Sequence, residues 1–262
     1  MCKSKIQAFF RKLKTVFGGK GQRKNLGQNP RNNYEQLERE NKLVLSYLTV
    51  RKIIGILGLL FPLILVLGSF ILGHCCNIQI SISNYYHTNM RDVFVGYVCT
   101  LSIFMLSYKG YDLADRIVSA LTGIFGLVVA LMPTNLKTDP ITGLIPQCNI
   151  WCNVERHNWI GIVHLVAAGL FILGMAYFTL FLFTKGETTP TPQKLIRNKI
   201  YKISGYIMLA CMGIMIVFFA LPDSLTAGLL KFKPVFWLET IAFVAFGFSW
   251  LVKGEFLLKD SV

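Results

Sequence analysis

Long apolar stretches separated by short polar segments organise this chain of 262 residues. Six of them carry few charged positions: Val50–Gly73, Asp92–Tyr108, Ile117–Pro133, Trp159–Phe183, Ile203–Leu221 and Val235–Val252. Each has roughly the 17–25 residues that an α-helix needs to cross ~30 Å of hydrocarbon at ~1.5 Å per residue. A helix satisfies its own backbone hydrogen bonds, as any single segment in lipid must. The pattern predicts an all-α polytopic bundle of six transmembrane helices over residues 50–255, with a short tail at 256–262.

Residues 1–49 follow a different pattern. In residues 4–17, Ile6, Phe9, Phe10, Leu13, Val16 and Phe17 recur at helical spacing between Lys5, Arg11, Lys12 and Lys14. That is the pattern of an amphipathic helix lying in the membrane interface. Residues 18–33 are rich in Gly, Asn, Gln and Lys and read as a linker. Residues 34–49 regain helical character, with Glu35, Glu38 and Glu40 near the start, and lead into the first span. No secretory signal peptide is visible, because the first apolar stretch is too long for one.

The connections between spans also differ. Lys109–Arg116 is short enough to force spans two and three into an antiparallel hairpin, with Asp115 placed to cap span three. Gly55, Gly58, Gly123 and Gly126 permit close helix approach. Pro62 is expected to kink span one, and Trp237 and Trp250 to mark opposite interfaces.

Charge gives this pattern a direction. Of the 27 lysines and arginines, only Arg91, Lys137, Arg156, Lys231 and Lys233 fall outside the segments that share a side with the N-terminus. Retention of basic loops in the cytoplasm therefore places both termini there. A net charge of +14 in a soluble protein would point to nucleic acid. Here nearly half the basic residues lie in one arm, and anionic lipid headgroups are the partner it fits. No nucleic-acid signature accompanies the charge. The expected location is the plasma membrane or a bacterial inner membrane.

The same orientation sorts the candidate chemistry. Cys75, Cys76, Cys148 and Cys152 fall in outer loops, where an oxidising compartment favours up to two disulfides. A zinc site that also uses His74, and free thiols, are the alternatives. The histidines His74, His87, His157 and His164 all lie on the outer side. Ionisable residues at membrane depth are costly and draw functional suspicion. Asp92, His164 and Glu239 fall at similar depth near the outer leaflet, with His87 and His157 nearby. Asp92 with His164, and Arg91 with Glu239, are the expected pairs. His87, His157 and His164 are the weak candidates for zinc, but neither an HExxH nor a His-x3-His pattern supports a metal. A structural polar cluster is the competing reading, and no cofactor motif is present.

The runs SISNYYHTNMRDVFVG, SYKGYDLADR and FGFSWLVKGE resemble uncharacterised bacterial six-span membrane proteins. More distantly, the layout of residues 50–255 is similar to the Frag1/DRAM/Sfk1 group of multi-span proteins. The resemblance implies six membrane helices and no particular reaction. The leading expectation is a protein that binds a lipid or small ligand in an outer-leaflet polar pocket at Asp92, His164 and Glu239. His87 would act there as a mobile lid contact. A lipid-modifying hydrolase using the same cluster and a proton-coupled transporter are the alternatives. Catalysis and oligomeric state stay open.

Overall fold

The computed structural model describes residues 30–73, 77–108, 112–136, 158–185 and 191–258. Residues 1–44 and 45–262 form separate compact units, and the membrane bundle belongs to the second. The described residues hold seven α-helices and no strand: α1 (Pro30–Gly73), α2 (Arg91–Ser107), α3 (Leu113–Leu131), α4 (Asn158–Tyr177), α5 (Pro192–Ala220), α6 (Asp223–Leu230) and α7 (Pro234–Lys253). A 3-10 helix, Ser83–His87, precedes α2, and α4 continues into a π-helical segment, Phe178–Leu182. The interfacial helix expected over 4–17, His74, His157 and Cys75, Cys76, Cys148 and Cys152 lie outside the described residues.

Local chemistry explains where the helices begin. Asp112, in an extended conformation, accepts a hydrogen bond from the Asp115 amide and so caps α3. This corrects the expectation for Asp115, whose side chain is fully buried against Lys185 instead. Thr191 caps α5 through the Lys194 amide, with Pro192 at the first helical position. Proline there loses no intrahelical bond. Pro234 starts α7 in the same way, after Lys233 in the left-handed region at φ 53°. α1 begins at Pro30, inside the segment expected to be linker.

Among the described residues, five helical stretches are long and apolar enough to cross a membrane: Tyr47–Gly73, Leu113–Leu131, Trp159–Leu182, Pro192–Ala220 and Pro234–Lys253. The chain is therefore a multi-pass helical membrane protein. α2, predicted as a sixth span, has 17 residues. At ~1.5 Å per residue it falls a little short of ~30 Å.

Small residues set the helix crossings. A Cβ at Gly55 would come within 2.7 Å of the Leu251 amide, and one at Gly58 within 3.0 Å of the Gly247 Cα. α1 and α7 thus touch backbone to backbone, as glycine at a membrane helix interface allows. Gly123 and Gly126 serve the α2–α3 contact in the same way, facing Ser102 and Leu106. Trp250, expected at an interface, is 1% exposed. It packs edge-on to Phe183 at 4.9 Å and near Phe178 and Tyr108 at 6.1 Å. Facing aromatic partners on α4 and the α2–α3 turn hold it inside, while Trp237 stays exposed.

Candidate functional site

The segment between α1 and α2 forms a polar cap on one end of the bundle. Every residue from Ser81 to Thr88 is buried, although five of the eight are polar. Buried polar groups need partners, and the cap supplies many of its own. Ser81 Oγ bonds Asn84 Oδ1 at 3.0 Å and accepts from the Asn84 amide. Thr88 Oγ1 donates to the Tyr85 carbonyl and accepts from the Met90 amide.

The start of α7 supplies the rest. Lys233 Nζ donates to the Ile78 carbonyl, and the Phe236 amide donates to the Ile80 carbonyl at 3.1 Å. Glu239 Oε2 accepts from the Ile82 amide at 2.5 Å, and the Ser83 amide also faces this carboxylate. Residues three apart on a helix share a face, and residues two apart on an extended segment point the same way. Positions 233, 236 and 239 therefore meet 78, 80 and 82 in step. The Phe236 amide is one of the donors a helix start leaves without an internal acceptor, and the cap gives it one.

Two histidines fasten a second segment. His164 Nδ1 donates to the Met132 carbonyl at 2.6 Å, and His87 Nε2 donates to the Thr134 carbonyl at 2.8 Å. The chain leaving α3 is thus held from α4 and from the cap by imidazoles that grip carbonyls two residues apart. His87 is fully buried, which corrects its reading as a mobile lid contact. His164 Nε2 is buried without a hydrogen-bond partner.

The expected pairs do not form. Asp92 is exposed in the first turn of α2, so it meets neither His164 nor the interior. Glu239 takes backbone amides rather than Arg91, whose guanidinium donates to the Tyr86 hydroxyl and lies over that ring. Both outcomes follow from neighbours in sequence: residues 91 and 92 diverge around the helix, and Tyr86 lies one short turn from Arg91. Among the described residues no three histidine, cysteine or acidic side chains gather into a metal-ligand set.

The interior void beside Glu239 has a volume of about 30 Å³. Apart from Glu239, Ile82 and Ser83 it is lined by apolar groups, among them Phe94, Val98, Val129 and Phe171. That is room for about one or two waters, not for a lipid. Of the expected trio Asp92, His164 and Glu239, only Glu239 lines this void, and its carboxylate is taken up by the Ile82 amide. Burial in the cap also pushes the Tyr85 phenol up to about 12, and burial lowers the Lys233 amine.

A larger concavity lies elsewhere. Between α5 and α7, Ile200, Ile203, Ile207, Ile241, Val244 and Phe248 line a groove of about 400 Å³. Its floor includes Ser204 and Ala245. At the nearer end of both helices stand Lys194, Arg197 and Lys253, with Arg51 of α1 beside them. Across the same end, Lys185 pairs with Asp112 at 3.0 Å and Asp115 at 2.6 Å. The Asp115 amide, then Lys185, holds the Asp112 carboxyl below its ordinary range, and the two aspartates raise the Lys185 amine.

Sequence reasoning missed both features. The Ile78, Ile80, Ile82 alternation was the available signal for a segment laid along a helix. Arg197 and Lys253 were counted as charge on a side, and nothing in their spacing brings them together.

No protein-family model matches the chain, and no curated protein or solved structure is significantly similar to it.

Proposed function

We propose that this chain is a six-span membrane protein with both termini cytoplasmic, and that it binds a membrane lipid along the α5–α7 groove. Two observations support counting α2 as a span. It pairs closely along α3, which begins at Leu113 soon after α2 ends at Ser107, and the buried cap extends the structure beyond its outer end. The distribution of basic residues supports the orientation, and a plasma or inner membrane fits it.

The groove carries the lipid reading. Its volume falls in the range of small-molecule sites, and its walls are Ile, Val, Phe and Ala with one serine. It lies between two helices long enough to span, so it opens toward acyl chains rather than water. Filling it separates a built site from ordinary lipid contact. The purified wild type is expected to retain about one phospholipid per chain after detergent exchange, read by mass spectrometry of extracted lipid. Ala245→Trp, which fills the groove floor, should lose it. Equal retention by both proteins would overturn the reading.

Glu239 favours one second reading, a proton site in a transporter. It is the acidic residue of α7, it lies inside a spanning stretch, and it borders the void. Reconstituted protein should then show pH-gradient-driven flux that Glu239→Gln abolishes. Flux unchanged in the variant would remove this reading.

A further inference from the structure

Among the described residues, most hydroxyls on the long helices are taken up by a backbone carbonyl of their own helix. Thr100 donates to the Gly96 carbonyl at 2.7 Å, Ser102 to Val98 at 2.7 Å, Thr122 to Val118 at 2.7 Å and Thr179 to Met175 at 3.0 Å. This back-bond spares a serine or threonine the cost of an unpaired polar group in an apolar medium. Ser204 on α5 is different. Among the described residues no hydrogen bond takes up its hydroxyl, neither to the Ile200 carbonyl four residues back nor to any other group. Ser69 and Thr240 also lack a partner, but their oxygens are enclosed within the bundle. Ser204 lines the α5–α7 groove instead, and the 4% of it that is exposed opens there.

Packing fixes that aim. A Cβ on the next residue, Gly205, would lie 2.3 Å from Leu180 Cγ, so position 205 is pressed against the π-helical segment. Successive residues turn about 100° around a helix, which carries Ser204 to the side of α7. There Ile203, Ile207, Ile241 and Val244 surround it with apolar groups, and Ala245 is small enough to leave the space open. The hydroxyl is thus the one polar side chain of the groove wall.

Its level in the membrane selects the group it meets. Lys199 and Lys202 are exposed on α5. An ammonium is costly in hydrocarbon, so this stretch stays within reach of the polar boundary. Ser204 lies two residues past Lys202, about 3 Å along the axis. From Ile203 to Ala220 the helix then carries no charged residue, over about 27 Å, close to the depth of the hydrocarbon core. At that boundary a glycerolipid carries its ester carbonyls, which accept hydrogen bonds and have no proton to give. The phosphate lies further out and the rest of the chain further in. We propose that the Ser204 hydroxyl donates a hydrogen bond to an ester carbonyl of a glycerophospholipid whose upper acyl chain lies in the α5–α7 groove. This deepens the groove reading above and rests on it. An ether-linked chain offers no carbonyl there and leaves the hydroxyl desolvated without a partner.

Native mass spectrometry of the full chain in detergent tests this. The titrants are a diester phosphatidylcholine, its diether analogue with the same headgroup and chain length, and oleate. The wild type should bind the diester roughly three- to tenfold more tightly than the diether, as expected for one hydrogen bond. Ser204→Ala should bind the two equally. Equal wild-type affinities overturn the ester contact and need no variant. A preference that survives in Ser204→Ala also overturns it, because the carbonyl is then read elsewhere. Oleate binding as tightly as the diester would make the ligand a free carboxylate and overturn the glycerolipid assignment. The groove reading fails separately, if Ala245→Trp binds both phospholipids as the wild type does.

Discussion

The two ends of the bundle bury polar groups in opposite ways. At the cap, the carboxylate and the two histidines take backbone partners: Glu239 with the Ile82 amide, His87 with Thr134, His164 with Met132, while Gln79 Oε1, Asn84 Nδ2, the Tyr85 hydroxyl and His164 Nε2 stay buried without one. At the basic end, Lys194 and Lys253 both donate to the Phe183 carbonyl, and Arg197 lies 4.0 Å from Glu255. Matched burial holds a fold together. By that test the cap is architecture, the reverse of what sidedness alone implies.

The largest effect should come from the cap. Glu239→Ala leaves the Ile82 and Ser83 amides without an acceptor and should cost about 2–4 kcal/mol, since a buried unpaired group costs about 1–3. Glu239→Gln keeps a carbonyl acceptor and should cost less. Thermal unfolding in detergent measures both, and an alanine variant as stable as the wild type would mean the cap is not held this way. His87→Ala and His164→Ala come next, at about 1–3 kcal/mol each. A loss for only one of them would show that the 132–134 segment needs a single fastening.

A pH series sharpens the same contrast. Burial raises the Tyr85 phenol from 10.0 to about 12 in the fold. The folded state therefore holds its proton more tightly than the unfolded chain. Its contribution is complete below pH ~10 and is lost as pH rises through the folded value. Melting temperature should fall more steeply between pH 10 and 12 in the wild type than in Tyr85→Phe. Parallel curves would mean the phenol is not shielded.

Lys253→Gln carries a smaller prediction with the opposite sign. Removing one of several like charges should leave lipid-free protein as stable as before or more so. A clear loss would make the basic end matched architecture after all, and the comparison would fail. Asp92→Asn should change unfolding by no more than about 0.5 kcal/mol, as for other exposed positions. A larger loss would return Asp92 to the interior.

The helices were legible because length and apolarity decide them in lipid. Pro192, Thr191 and Pro234 also mark starts that propensity alone explains. Gly55 and Gly58 announced a close contact, but Gly247 as its other half is a matter of tertiary packing. Asp92 and Glu239 both lie early in their helices. Depth along a helix is readable from sequence; the direction around it is not, and Asp92 faces out. The cap was hidden because its polar residues looked available, whereas backbone amides and carbonyls from distant segments take them up. The cations of the basic end come from residue 51, from residues 194 and 197 on one helix face, and from residue 253, and no local pattern connects these three places.

A photoreactive phosphatidylglycerol analogue, cross-linked to the protein in a bilayer and mapped by mass spectrometry, bears most directly on the contrast between the two ends. Adducts concentrated on residues 200–207 and 241–248, and reduced in Ala245→Trp, are the predicted result. Adducts centred on residues 78–90 and around Glu239, unaffected by that change, would contradict it.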